Sequence, residues 1–92
     1  MLEFDWDPVK AEANRKKHRV AFPEAATVFG DRLSVTFPDL DRVHNEARFV
    51  MIGVSEKGHT LVVVHAERGN VIRIISARRA TRHERKFYEE KP

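Results

Sequence analysis

Three short apolar segments follow one another in the second half of the chain, and they restrict the possible folds more than any other feature. Residues 47–54, 60–67 and 71–77 are rich in valine, isoleucine and other residues that strands favour. The sequences SEKGH and RGN separate them, and both are typical of turns. Connections this short can join only antiparallel neighbours. We therefore predict a three-stranded antiparallel meander.

Two helices are predicted before the meander. Asp7 followed by Pro8 is a favourable helix start, because the carboxylate can accept free backbone N–H groups and proline is tolerated in the first turn. This helix should end near His18. A second, short helix is indicated by apolar residues at helical spacing and by a glycine that can end it. These residues are Phe22, Ala25, Ala26, Phe29 and Gly30.

A fourth strand and a third helix complete the prediction. Apolar residues that alternate with polar ones, followed by a proline, indicate the strand: Leu33, Val35, Phe37 and Pro38. Thr81 and Glu84 have the spacing of a capping box, so the last helix should begin near Thr81. The predicted fold is α+β, with two N-terminal helices, a four-stranded antiparallel sheet and a C-terminal helix, in a single domain over residues 1–92.

Composition excludes several classes of protein. The 92 residues include no cysteine, which rules out disulfides and thiolate metal sites, and we expect a cytoplasmic protein. No window approaches the roughly 18 apolar residues of a membrane span, and the N-terminal residues lack the pattern of a signal peptide. The five histidines do not have zinc-ligand spacing, so we expect no metal and no cofactor.

Positive charge is concentrated at the C-terminal end. Residues 68–92 contain 8 Lys and Arg against 3 Asp and Glu, whereas residues 1–67 contain 9 against 11. Such an uneven distribution of charge indicates an anionic partner such as nucleic acid or an acidic protein segment. A solvated basic helix face would give the same count.

Arg73 is the first candidate site residue, because it lies in a strand between isoleucines. An arginine in such a place needs a carboxylate or a phosphate as its partner. One interpretation is a structural ion pair with Glu67 or Glu46, and the other is a phosphate clamp. Arg48 opens an earlier strand in the same manner. His65, in the middle of a strand, is either a satisfied core or rim histidine or a general base.

Two aromatic residues, Trp6 and Tyr88, are predicted to be free of the core. Tyr88 follows Glu84 by one helical turn, so both can face the edge of the sheet that carries the arginines. Fixed cations, a carboxylate and a phenol could surround one phosphate without a metal ion. We therefore expect Arg48, Arg73 and Arg78 to converge on one solvent-open hollow.

Four sequence blocks, in this order, resemble the BrnT family of toxins from bacterial type II toxin–antitoxin systems. They are W-D-x-x-K-x-x-x-N-x-x-K-H from Trp6, F-x-E-A-x-x-V-F from Phe22, E-x-R-F-V-M-I-G from Glu46 and R-I-I-S-A-R-x-A-x-x-x-E-R-x-x-Y from Arg73 to Tyr88. The resemblance covers nearly the whole chain. One departure is Arg19, where the family usually has glycine after the histidine.

The resemblance implies a RelE-like fold and a metal-independent ribonuclease that arrests translation. It also implies silencing by a cognate BrnA-like ribbon-helix-helix antitoxin, binding of operator DNA only through the antitoxin complex, and a dimer bridged by the antitoxin. In toxins of this superfamily the ribose 2′-hydroxyl attacks the adjacent phosphate. Side chains then supply the base, the acid and the positive charge.

On this resemblance, Arg73 and Arg78 are expected to hold the scissile phosphate with help from Arg48. Glu46 or His65 is the candidate base, and Tyr88 would orient or stack a base. The residues expected to bind flanking RNA are Lys10, Lys17, Arg79, Arg82, Arg85 and Lys86. Two other hypotheses stay open. The chain could be a non-enzymatic basic module that binds an acidic partner or nucleic acid, or a toxin that has kept the fold and lost activity.

Overall fold

A computed structural model describes residues 2–39 and 46–91 and builds them around a five-stranded sheet. The elements in chain order are β1 (Glu3–Asp5), α1 (Pro8–His18), α2 (Phe22–Thr27), β2 (Val35–Pro38), β3 (Arg48–Val54), β4 (Thr60–Arg68), β5 (Val71–Arg79) and α3 (Arg82–Glu90). The order of strands in the sheet is β1-β5-β4-β3-β2. None of the helices in these two ranges is long and apolar enough to cross a membrane.

The α+β class and the predicted meander are confirmed, but the sheet has five strands and not the four antiparallel strands predicted. β3, β4 and β5 pair antiparallel in sequence order, and β2 adds antiparallel to β3. A fifth strand, β1, pairs parallel to β5, so the sheet is mixed. β1 has three residues, of which two are acidic. It is therefore too short and too polar to show strand periodicity, and only its pairing with β5 defines it.

The helix boundaries follow local chemistry. α1 has the predicted bounds, and the Asp7 carboxylate accepts hydrogen bonds from the backbone N–H groups of Val9 and Lys10. It ends at Arg19, which has a φ of 61° in the left-handed region. Glycine is the residue best suited to that conformation. The second helix is shorter than predicted, because Val28–Gly30 forms a 3-10 turn.

The two sides of the sheet are covered to different extents. α1, α2 and the 3-10 turn pack on one side and enclose the main core. Its buried members include Phe22, Ala25, Val28, Leu61, Val63 and Ile74. On the other side, α3 covers one end through Tyr88, which packs with Ile52 and Val62. We call the remainder of that side, which carries Arg48, Val64 and Arg73, the open face.

A β-bulge in β5 decides which arginines share the open face. His65 pairs with Ile74, and its neighbour Val64 pairs with Ser76, so Ile75 is an extra residue in β5. Strict alternation would place Arg73 and Arg78 on opposite sides, because they are five residues apart. The bulge shifts the alternation by one residue and returns Arg78 to the side of Arg73.

Asn14 joins α1 to the free edge of β5. Its amide Nδ2 donates to the carbonyl oxygens of Val20 (3.0 Å) and Ala77 (2.8 Å), and its Oδ1 accepts from the Ala77 N–H (3.1 Å). The side chain thus makes the hydrogen bonds that a further strand residue would make. This satisfies the backbone of β5 beyond the end of β1 and positions the C-terminal end of α1.

Candidate functional site

Two arginines lie side by side on the open face. Arg48 on β3 and Arg73 on β5 are both register partners of Ala66 on β4, so all three side chains lie on one side of the sheet. Ala66 is fully buried and too small to separate the two guanidinium groups. Two strand spacings place the arginine backbones about 10 Å apart. Within the described part of the chain, the buried Nε of Arg48 has no hydrogen-bond partner.

Arg73 has a partner that the sequence did not indicate. It forms an ion pair with Asp5, its register partner on β1, and both predicted partners of Arg73 are wrong. Glu46 binds Arg68 instead, and Glu67 contacts His65. The Arg73 side chain is 32% exposed and that of Asp5 52%. An ion pair this open contributes about 0–1 kcal/mol to stability, so Asp5 holds the Arg73 guanidinium only weakly.

Glu46 stands among three arginines and is held as a carboxylate. The hydrogen bond from Arg68 is the largest cause that lowers the pKa of Glu46. Burial opposes this shift, and the charges of Arg68, Arg48 and Arg73 add to it. A general base works best when its pKa lies near the operating pH. Glu46 is therefore better suited to positioning Arg68 than to accepting a proton.

Arg78 is fixed at the start of α3, away from the other two arginines. Both terminal nitrogens of its guanidinium donate to Glu84, at 2.8 and 2.9 Å. This hydrogen bond raises the pKa of Arg78 and lowers the pKa of Glu84 to about 2. The expected convergence of three arginines is thus correct only for Arg48 and Arg73. Arg78 lies further along β5, and Glu84 neutralises its charge.

His65 lies on the opposite side of the sheet, inside the main core. It is fully buried and packs against the rings of Phe29 and Phe49. Burial lowers the pKa of His65, although the hydrogen bond between its Nε2 and Glu67 (3.2 Å) opposes the shift. Its Nδ1 has no partner among the described residues. His65 therefore does not lie beside Arg48 and Arg73.

Neither aromatic residue predicted to be free is free. Tyr88 is buried, and its hydroxyl donates to Asp31, which also accepts the Val54 N–H at 2.9 Å. Burial and the contact with Asp31 raise the pKa of Tyr88 to about 12. Trp6 packs edge-on against Phe22, with ring centroids 6.0 Å apart. The expected stacking surface of Tyr88 is therefore turned into the protein.

The six residues predicted to bind flanking RNA lie on separate surfaces. Arg82, Arg85 and Lys86 are exposed on α3, on the same side of the sheet as the open face. Lys10 and Lys17 are exposed on α1, which belongs to the other layer. Arg79 is the register partner of Leu61, a main-core residue, so it leaves the sheet on the α2 side.

A second cluster, at the end of the sheet near the β3–β4 turn, was not predicted. Glu24 of α2 accepts hydrogen bonds from the Ser55 hydroxyl (2.7 Å) and from Nδ1 of His59 (2.9 Å). Arg79 lies 3.0 Å from Nε2 of the same histidine. Ser55 and His59 frame the turn and could have been noted as polar residues, but their contact with Glu24 spans more than 30 positions and no sequence pattern indicates it.

The Glu24 carboxylate of this cluster is ionised although it is buried. Burial would raise the pKa of Glu24, but the hydrogen bonds from Ser55 and His59 outweigh it and the pKa is lowered. Among residues 2–39 and 46–91, no three His, Asp or Glu side chains are grouped so that they could hold a metal ion.

Comparison with known proteins identifies a family and a similar solved structure. A family model described as "Ribonuclease toxin, BrnT, of type II toxin-antitoxin system" matches residues 6–84. The fold is similar to that of the Brucella abortus ribonuclease toxin BrnT, with a TM-score of 0.70 and 21% sequence identity. That alignment covers 89% of this chain and 100% of the Brucella chain. No curated protein matches the chain.

Proposed function

This chain belongs to the BrnT family of ribonuclease toxins of type II toxin–antitoxin systems, and from that membership we propose that it cleaves RNA without a metal ion. Cleavage would inhibit translation until an antitoxin binds the toxin. We propose that residues 1–92 act as one domain and that the protein works in the cytoplasm.

One observation carries the proposal: the arginine pair on the open face. Arg48 has an unpartnered buried Nε, and Arg73 has a carboxylate partner that is more than half exposed. Planar guanidinium groups bind phosphate oxygens through two parallel hydrogen bonds. We propose that both arginines bind the RNA backbone. The exposed cations of α3, among them Arg82, Arg85 and Lys86, would extend the same path.

Fixed cations can supply the charge stabilisation that RNA cleavage needs. The ribose 2′-hydroxyl attacks the adjacent phosphorus, and negative charge develops on the phosphate oxygens. Preorganised guanidinium donors stabilise such charge in the transition state. A group that accepts the 2′-hydroxyl proton is also needed. Of the two expected bases, Glu46 is held as a carboxylate by Arg68, and His65 is fully buried in the core.

Membership of a type II system implies an antitoxin partner. We propose that this partner is a BrnA-like ribbon-helix-helix protein, that operator DNA is bound through the complex, and that the antitoxin bridges two toxin chains into a dimer. Co-expression of a neighbouring short reading frame that encodes such a protein should restore growth.

Growth under controlled expression tests the proposal. Wild-type protein is expected to arrest growth, and Arg73→Ala to relieve the arrest, because the RNA backbone then loses a cation that positions it. Arg15→Ala is the matched control, since Arg15 forms a comparable exposed ion pair with Glu12 on α1. It should still arrest growth. A folded Arg73→Ala protein that remains fully toxic would remove Arg73 from the site.

A non-enzymatic role is favoured by one observation. Neither candidate base is suited to proton transfer, because Glu46 is held as a carboxylate by Arg68 and His65 is fully buried. A module of this kind would bind RNA or an acidic partner without breaking it. Salt-sensitive RNA binding that leaves the RNA intact would identify this function.

A further inference from the structure

A chain of hydrogen bonds runs from the protein interior to the surface at the end of the sheet. It begins at the Glu24 carboxylate, which is 8% exposed, passes through the imidazole of His59 and ends at the Arg79 guanidinium. Ser55 donates to the same carboxylate oxygen that His59 contacts. Three elements therefore meet here: α2 supplies Glu24, the β3–β4 turn supplies the histidine, and β5 supplies the arginine.

The neighbours of His59 determine which imidazole nitrogen carries the proton. An ionised carboxylate can only accept a hydrogen bond, so Nδ1, 2.9 Å from Glu24, is the donor. A guanidinium can only donate, so Nε2, 3.0 Å from Arg79, is the acceptor. Both contacts require the same neutral tautomer. It leaves a lone pair on Nε2 at the surface end of the chain.

Exposure of the cluster suits a polyanionic substrate. The His59 side chain is 32% exposed, and Arg79 is exposed, whereas the carboxylate behind them is buried. The charged groups around the imidazole are Glu24 from α2, Arg79 from β5 and Lys57 from its own turn. A carboxylate that orients an imidazole from behind, with a cation beside the free nitrogen, is an arrangement suited to general-base catalysis next to a phosphate.

We propose that His59 is the general base of RNA cleavage, that Glu24 is a positioning residue that fixes its tautomer, and that Arg79 binds the scissile phosphate. This inference rests on the proposed ribonuclease function and assigns its chemistry to the end of the sheet. Arg48 and Arg73 then bind flanking phosphates. Arg73 and Arg79 are six positions apart on β5, about 20 Å along the strand, and their side chains leave opposite sides of the sheet. A single-stranded RNA that contacts both therefore passes around the end of the sheet over several nucleotides.

The step balances without another reactant. Arg79 turns from Nε2 onto the phosphate, and the 2′-hydroxyl takes its place. Nε2 removes the hydroxyl proton while the 2′-oxygen forms a bond to phosphorus, and the bond from phosphorus to the 5′-oxygen breaks. The 5′-oxygen leaves with the electron pair and takes a proton from water, and the imidazolium returns its proton to the resulting hydroxide. The products are a 2′,3′-cyclic phosphate and a 5′-hydroxyl.

The same contacts could merely stabilise the turn, so the test must separate the two roles. His59→Gln keeps a polar side chain that can both donate and accept a hydrogen bond but cannot act as a base. Ser55→Ala removes a hydrogen bond from Glu24 and from the turn while it leaves the imidazole in place. His83→Ala changes an exposed histidine of α3 and serves as the control.

Cleavage of an RNA oligonucleotide by purified proteins, measured as kcat and KM across pH, gives the readout. His59→Gln is expected to lower kcat by about 10²–10⁴-fold. It should also abolish the fall in rate at low pH that the wild type shows when its base is protonated. Ser55→Ala should keep that pH dependence with kcat lowered less than about 10-fold, and His83→Ala should match the wild type. Circular dichroism checks that each variant is folded.

Three results would overturn the inference, and they differ from one another. If the wild type cleaves RNA and folded His59→Gln has the same kcat and pH profile, His59 is not the base, although the ribonuclease function stands. If Ser55→Ala loses as much activity as His59→Gln, the cluster acts through the turn. A wild type that cleaves no RNA would overturn the inference together with the proposed function.

Discussion

Glu84 links two elements through one carboxylate. It accepts both hydrogen bonds of the Arg78 guanidinium and the backbone N–H of Thr81, while the Thr81 hydroxyl accepts the N–H of Glu84. These contacts, with the Arg78 hydrogen bond as the largest, lower its pKa from 4.5 to about 2. The ionised Glu84 carboxylate therefore stabilises the attachment of α3 to β5.

We predict an acid-dependent loss of stability from this residue. Its folded-state pKa is lower than its unfolded-state pKa, so the contribution is fully present above pH 4.5 and disappears as the pH falls toward 2. After allowance for solvent screening, about 1–2 kcal/mol of unfolding free energy should be lost. Urea unfolding of the wild type and Glu84→Gln between pH 2 and 7 measures the difference.

Glu89→Gln is the control for this prediction, because Glu89 is exposed on the same helix. It should keep the acid dependence of the wild type. If Glu84→Gln also keeps it, Glu84 does not hold α3 in the way described.

Among single residues, the arginines of the open face could be identified from sequence and their partners could not. Arg73 was identified because it interrupts an apolar strand. Its partner Asp5 lies on β1, a strand with no periodic signal, so the pairing could not be predicted. Tyr88 has the helical spacing expected of a site residue. In the fold its ring packs with Ile52 and Val62, and its hydroxyl contacts Asp31 at a sequence separation of 57.

At the scale of elements, β3 and the segment after α2 approach each other closely at Gly53. A Cβ built on this glycine would lie 2.8 Å from Cγ1 of Val28, 3.0 Å from Cβ of Ser34 and 3.1 Å from Oδ2 of Asp31. Real Cβ atoms essentially never have a contact under 3.0 Å, and the neighbour at 2.8 Å is a buried core valine. The close approach also positions Asp31 to accept the hydroxyl of Tyr88.

Gly53→Ala is therefore expected to lower the free energy of unfolding by about 1–3 kcal/mol through overpacking. Gly30→Ala is the matched control, since a Cβ at Gly30 would meet no atom within 4 Å. That variant should remain within about 0.5 kcal/mol of the wild type. Chemical denaturation of the three proteins measures both values, and equal stability of the two variants would contradict the described packing.

The meander could be predicted because its strands are apolar and its turns are short, and α1 because Asp7 and Pro8 mark its start. The bulge at Ile75 could not be predicted, since no glycine marks it in the strand sequence and the extra residue depends on pairing with β4. This one residue decides that Arg73 and Arg78 share a side of the sheet. Short strands and register shifts are set by tertiary pairing and not by local periodicity.

At the scale of the whole molecule, the proposed RNA path runs from the open face to the end of the sheet. Arg48 and Arg73 lie toward one end of β5, and Arg79 with His59 lies at the other. The sequence indicated the first group through its strand arginines. The second group depends on Glu24 approaching the turn from α2, which only the folded chain reveals.

Salt dependence of RNA binding tests this path. For an uncleavable RNA with 2′-O-methyl groups, log K should fall linearly with log salt, because binding releases condensed cations. Arg73→Ala is expected to reduce the slope by about 0.7, the value for one phosphate contact on a single strand. Arg15→Ala should leave the slope unchanged. An Arg73→Ala protein with the wild-type slope would place the RNA elsewhere.

The most direct measurement of the central claim is RNA cleavage by the purified chain in the presence of EDTA, with analysis of the new RNA ends. The account predicts fragments with 2′,3′-cyclic phosphate and 5′-hydroxyl ends, and far less product from an identical preparation of Arg73→Ala. RNA that stays intact in EDTA and is cleaved only when a divalent cation is added, or is bound and never cleaved, would contradict it.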